Sequence, residues 1–286
     1  MNTIDLAIPG FTIAGLSFGN PCNPPILALH GWLDNAHSFK PLAEYLQDQY
    51  YLIAVDLPGH GHSSHLPQGY NYHFIDAMLC VVEIIKALNL GKVHLLGHSM
   101  GACLASLVAG LTPSLVQSLA LIEGLGPFSS PEDTARAQLG AYLKNRQVHA
   151  KPSRGYSEEQ AIKVRAAKGY VTLEMAEILA QRGLVQSEDR HYWRHDKRLL
   201  VPSPLHLTEV QIFSFLKAIT AKSCLFWANK GYAFNVELME ARIASVPDLE
   251  VIHLEGGHHI HMEHPKPMAE YLRAFFRPTE LNTYSE

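Results

Sequence analysis

The chain alternates short apolar runs with segments of helical spacing. Pro25–Leu29 and Tyr51–Val55 are nearly continuous apolar runs, and residues 92–96, 115–122, 223–227 and 249–254 are apolar for most of their length. Runs of this size without strict in–out alternation predict strands covered on both faces. Between them lie helical patterns, chiefly residues 72–88 and 102–111. Strands alternating with helices predict an α/β fold on a doubly wound, mostly parallel sheet, with the ligand site beyond the carboxyl ends of the strands. The first twenty residues differ. Residues 4–8 and Phe11–Phe18 alternate apolar and polar positions around Pro9-Gly10, which predicts an edge hairpin.

After Gly124 the pattern changes. Residues 131–146, 157–169, 172–182 and 208–219 read as short helices rich in Arg and Lys, and no buried-strand run returns until Cys224. This predicts a helical cap, residues 125–216, inserted into a core of residues 1–124 and 217–286. Phe128, Tyr142, Tyr170 and Trp193 are expected either to line an apolar pocket or to pack the cap on the core. Arg194 and Asp196 are expected to form a salt bridge inside the cap rather than to contact a charged substrate.

Composition narrows the function. The 286 residues are 47% hydrophobic and 17% charged with a net charge of −4, which describes a globular protein with ample core. No basic run supports binding to nucleic acid or an anionic membrane, so a small molecule is the expected partner. Neither a secretory leader pattern nor a bilayer-length apolar run is found, and a cytoplasmic location is expected. Cys22, Cys80, Cys103 and Cys224 have no metal-type spacing and are expected to be free thiols; no cofactor is expected.

The chemistry concentrates at Gly97-His98-Ser99-Met100-Gly101, between an apolar strand and a helix of small residues. An abrupt strand-to-helix turn leaves Ser99 at the apex with its hydroxyl exposed, and the flanking glycines let strand and helix pass closely. Gly101, Ala105 and Ala109 leave one helix face nearly bare, fit to lie flat on a sheet. Ser99 is the candidate nucleophile. Two further loops follow strands: His30-Gly31-Trp32-Leu33-Asp34-Asn35 and Asp56-Leu57-Pro58-Gly59-His60-Gly61. His60 and His62 are expected to be structural rather than metal ligands, because no carboxylate or thiol cluster accompanies them.

With Gly257-His258 near the end, these motifs resemble the α/β-hydrolase superfamily in its order and over nearly the whole chain. Gly31-Trp32-Leu33-Asp34-Asn35, Ile122-Glu123-Gly124-Leu125-Gly126-Pro127 and Trp193-Arg194-His195-Asp196-Lys197-Arg198-Leu199 are similar to the serine-hydrolase-like branch. The resemblance implies an oxyanion hole from the backbone N–H groups of Trp32 and Met100. It implies a base directly after a glycine and about seven residues before the proline of the final helix, a description that His258 fits and its neighbour His259 fits less well. His261 and His264 are expected at a helix start or on the surface. The family's usual carboxylate position, after the strand at 223–227, holds Gly231. Glu123, one strand earlier, is therefore the expected acid. The implied function is a serine hydrolase of small carboxylic esters, with Trp32, Phe128, Trp193 and His259 at the substrate. The alternative is an inactive member of the fold that binds a ligand or partner through its cap.

Overall fold

The computed structural model describes residues 1–148, 155–201 and 203–277. Its main sheet has eight strands: β1 (Asn2–Ile8), β2 (Phe11–Phe18), β3 (Pro25–Leu29), β4 (Tyr51–Val55), β5 (Val93–His98), β6 (Val116–Ile122), β9 (Lys222–Lys230) and β10 (Leu249–Gly257). The order is β1-β2-β4-β3-β5-β6-β9-β10. The hairpin β1–β2 is antiparallel and joins β4 antiparallel, while every other pairing is parallel.

Alternate residues of the central strands feed two cores. Leu27 and Leu29 of β3 pack with Val81 and Ile84 of the helix Phe74–Leu88 and with Leu104 and Val108 of the helix Met100–Leu111. Ile26 and Ala28 pack on the opposite face with Leu42 of the helix Lys40–Leu46 and Leu272 of the helix Pro265–Phe276. All of these side chains are fully or almost fully buried. Each contributes roughly 1.5–3 kcal/mol of burial, which explains why the strands carry apolar residues on both faces.

The order of the strands locates the site. The chain runs outward from β3 to β4, then returns to lay β5 on the other side of β3. The loops after β3 and β5 therefore diverge and open a crevice at the strands' carboxyl ends. The loop after β3 carries residues 30–35, and the turn after β5 carries Ser99.

Between β6 and β9 lie the helices Ala135–Val148, Glu158–Lys168 and Leu173–Gly183. Ser157 and Gln160 form a reciprocal capping box on the second, and Thr172 caps the third through Met175 N. A hairpin of β7 (Leu184–Ser187) and β8 (Arg190–Trp193) stands where no strand is expected. The helix Glu209–Leu216, expected as part of the cap, lies against the Met100–Leu111 helix. A methyl group on Gly110 would be 2.8 Å from the Phe215 carbonyl carbon, so the close approach depends on a small residue. Val171, Met175, Ala176, Leu179 and Met262 form a third apolar cluster, between the inserted helices and the segment after β10. Buried Arg182 adds an ion pair to buried Asp56, 2.7 Å from Nη2 to Oδ2.

Asp196 pairs with Arg198 at 2.6 Å and accepts from Tyr72 at 3.0 Å, whereas the Arg194 Nε donates to the Leu184 carbonyl. The expected partner of Asp196 was thus the wrong arginine, because the chain turns after β8 and carries Arg194 back toward β7. The four cysteines are free thiols. Among the described residues no helix is long and apolar enough to cross a membrane.

Candidate active site

β5 ends at His98, and Ser99 follows with φ 51° and ψ −114°, outside the conformations most side chains accept. Close packing holds it there. A methyl on Gly97 would be 2.6 Å from Ala102 Cα, and one on Gly101 would be 2.7 Å from the His30 oxygen. Ser99 N donates to the Ile122 oxygen at 2.8 Å, fixing the turn to the end of β6. Among the described residues the Ser99 hydroxyl makes no hydrogen bond, nor do the backbone N–H groups of Trp32 and Met100. These are the groups the sequence expects to act on a substrate.

Glu123 leaves β6 with φ 54° and is buried. Its Oε1 accepts from Ala228 N at 2.7 Å, and its Oε2 accepts from Tyr232 N at 2.8 Å. The same Oε2 lies 3.0 Å from His258 Nδ1. A buried carboxylate with this set of partners is both oriented and compensated. Gly231 makes room for it, since a methyl there would sit 2.7 Å from Oε1 and closer to Oε2.

His258 follows the bulged end of β10, where Glu263 Oε2 accepts from Gly257 N at 2.6 Å. His98 Nε2 lies 2.9 Å from the His258 carbonyl oxygen, so the residue before Ser99 holds the backbone of the histidine loop. Burial, reinforced by the charge of His259, pushes His98 down to about 3 and keeps it neutral. His258 Nε2 makes no hydrogen bond among the described residues. Tyr170 and Tyr232 flank the ring at centroid distances of 5.8 Å each, and Phe128 lies 6.0 Å from Tyr232. Phe128 and Tyr170 are well exposed, giving the site an aromatic rim. Tyr232 was not among the residues the sequence singled out, although it stands next to Gly231.

The loop after β3 is built from polar contacts. His30 donates from Nδ1 to the Gly31 oxygen and accepts the Leu57 N–H at Nε2. Asn35 caps the turn Ala36–Phe39 through His37 N and donates to the Leu179 oxygen. Trp32 is half-exposed, with its indole N–H on the Leu199 oxygen at 3.0 Å. Asp34 is buried and ion-paired with Arg165 and His259. Burial pushes its carboxyl up, but the charges of His259 and Arg165 and the hydrogen bond from His259 outweigh this and hold it well below the usual carboxylate range.

Trp193 stacks on His195 and lines a surface cleft with His62, His65 and Asp196. Tyr142 is buried. His60 is buried edge-on to His30 and bonds the Pro58 oxygen. His261 stands at the start of the helix Ile260–Glu263, buried on Ser38 Oγ at 2.8 Å, and His264 stands at the N-cap of the helix Pro265–Phe276.

The family model for the alpha/beta hydrolase fold matches residues 24–265. The chain belongs to the α/β-hydrolase family. Within it the serine-hydrolase-like branch is the nearest description: a serine hydrolase-like protein of Dictyostelium discoideum is 30% identical over 93% of this chain and 79% of its own. Serine hydrolase-like protein 2 of Homo sapiens is 25% identical over 98% of this chain and 96% of its own. A solved hypothetical protein of Pseudomonas aeruginosa superposes with a TM-score of 0.90 at 37% identity, covering 96% of this chain and 99% of that one. A thioesterase domain from the curacin biosynthetic pathway superposes with a TM-score of 0.84 at 26% identity, covering 96% and 99%. This chain is thus an α/β hydrolase whose strand ends carry Ser99, Glu123 and His258.

Proposed function

We propose that this α/β hydrolase cleaves small carboxylic esters through an acyl-enzyme formed on Ser99. The observation that carries the reading is the 3.0 Å contact of Glu123 Oε2 with His258 Nδ1, at a carboxylate already held by two backbone N–H groups. An acceptor at Nδ1 keeps the proton there and leaves the Nε2 lone pair free, the tautomer a general base requires. His258 takes the Ser99 proton as Oγ attacks the acyl carbon, then returns it to the departing alcohol; water repeats the sequence in reverse. The N–H groups of Trp32 and Met100 receive the developing oxyanion, and Glu123 compensates the imidazolium. The thioesterase domain among the structural relatives supports acyl transfer as the reaction type.

Fluorophosphonate labelling followed by hydrolysis of p-nitrophenyl esters of graded chain length tests the proposal. Labelling confined to Ser99, with turnover of short esters, is the expected result. A folded protein that neither labels nor turns over any ester or thioester would instead be a ligand-binding member of the fold.

A further inference from the structure

His259, next to the proposed base, is buried, and both its ring nitrogens face acceptors. Nδ1 lies 3.0 Å from the Tyr170 carbonyl oxygen and Nε2 lies 3.0 Å from Asp34 Oδ2. A carbonyl has no proton to give. Asp34, ionised against the Arg165 guanidinium, has none either. Both ring nitrogens must therefore donate, and the ring carries a positive charge.

The four residues of this cluster come from three separate pieces of the molecule. Asp34 stands two residues after Trp32 in the loop after β3, and His259 is joined to His258 after β10. Tyr170 and Arg165 belong to the segment between β6 and β9, with Arg165 on the helix Glu158–Lys168. We infer that His259 is a positioning residue: a doubly donating imidazolium that, with Asp34, locks the Trp32 loop and the His258 loop to the segment carrying Arg165 and Tyr170. This gives His259 a place in the framework rather than at the substrate. The kinetic part of the inference rests on the serine-hydrolase reading; the protonation of the ring does not.

The surroundings of the ring favour a proton over a metal ion. Asp34, His98 and His259 offer donor atoms within 4.8 Å of one another, a spacing compatible with a cation. Arg165 already occupies Asp34 Oδ1, and both nitrogens of His259 are used as donors. A divalent ion would have to displace the ring proton and lie beside a guanidinium. The other titratable neighbours are His98, His258 and His261, with ring centroids 4.6, 5.5 and 5.9 Å away. His98 and His261 are both held neutral, chiefly by burial. Asp34 is thus the anion that faces the charged ring, through the oxygen that Arg165 leaves open.

The test is long-range ¹⁵N–¹H NMR of ¹⁵N-histidine-labelled protein at pH 7, with His259→Gln supplying the assignment. If that variant does not fold, Arg165→Lys, which perturbs the same cluster from its exposed side, supplies it. The expected signal is a ring with two protonated nitrogens, unchanged by added zinc chloride. A ring with one bare nitrogen, or one whose signals move with His98 on adding zinc, would overturn the inference, the latter in favour of a metal site.

The kinetic arm uses Asp34→Asn and His259→Gln. Each should lower kcat about 10- to 100-fold with KM changed less than about threefold, and the double variant should lose little more than either single one. Additive losses, or a rise in KM alone, would remove the positioning role. Failure of wild-type Ser99 to label with fluorophosphonate would sink the hydrolase reading and leave the NMR result standing.

Discussion

Ser99 and Glu123 leave adjacent parallel strands with positive φ, 51° and 54°, and Ser99 N is hydrogen-bonded across to Ile122, the residue before Glu123. Two neighbouring strand ends each aim a polar side chain out of the sheet by the same backbone device. The strain involved is roughly 1–3 kcal/mol at each site, sustained by the packing beneath.

The first prediction follows from that strain. Ser99→Ala should lose activity by on the order of 10⁴-fold or more, because the nucleophile is gone, with no gain in stability. Ser99→Gly should be as inactive but more stable than Ser99→Ala by about 1 kcal/mol, because glycine accepts the conformation freely. Urea denaturation of the two variants measures the difference, and equal midpoints would mean the turn is unstrained.

Glu123→Gln keeps the shape of the acid but removes its charge, and its amide can stabilise the wrong tautomer of His258. The expected loss in kcat is roughly 10²- to 10⁴-fold with little change in folding. Turnover equal to the parent's would assign no role to the contact.

Gly231→Ala should damage activity about as much as Glu123→Gln, although residue 231 supplies no functional group. Its methyl would overlap the Glu123 carboxylate and push it from His258. For the same reason Gly231→Asp needs a short residue opposite it. In a Glu123→Gly background it should restore activity by about tenfold, whereas in the Glu123→Gln background the amide still fills the space. Steady-state kinetics on the two double variants decides this.

Acid should weaken the fold through buried neutral histidines. Burial lowers His94 to about 4, and burial with the charge of His259 lowers His98 to about 3, both from 6.5. Below pH ~6.5 the unfolded chain takes up protons that the folded chain refuses, so stability present at higher pH is lost as the pH falls toward 4. The loss is about 1.4 kcal/mol per pH unit for each such histidine. His94→Gln, which can still meet Ser118, should flatten the slope by about one proton's worth in denaturation series from pH 7.5 to 5.

The segment between β6 and β9 is tied to the sheet's loops through Arg182. Asp56→Asn leaves a buried guanidinium without its counter-charge and should cost about 3–5 kcal/mol. Adding Arg182→Met should recover part of the loss, and a double variant less stable than the single one would refute the ion-pair account.

Most of the sheet was legible because its strands are buried on both faces and read as unbroken apolar runs. β3 and β4 match their runs to the residue, and β5 and β6 within two. The hairpin β7–β8 was not legible: its strands are half-exposed, and its turn is carried by Glu188-Asp189 with Glu188 at φ 53° rather than by glycine. The strand-end positions of Ser99, Glu123 and His258 were legible because a glycine stands within two residues of each and marks the turn. Asp34 lay inside a quoted motif, but its role depends on Arg165, 131 positions away, and local pattern carries no trace of so distant a partner. The left-handed backbone of Glu123 was equally hidden, since glutamate is not a residue that announces it.

The mutual exclusion of Gly231 and Glu123 also has a historical side. A side chain at 231 and the Glu123 carboxylate compete for one volume, so in this backbone the two positions cannot both be filled with the carboxylate where it is. A route from one layout to the other that kept this backbone would pass through loss before gain: a protein with a small residue at each place, whose histidine had no acidic neighbour. Such a protein survives selection only on a reactive substrate, or beside a duplicate that still performs the old task. A relative with the same backbone and bulky residues at both positions would contradict this order of events.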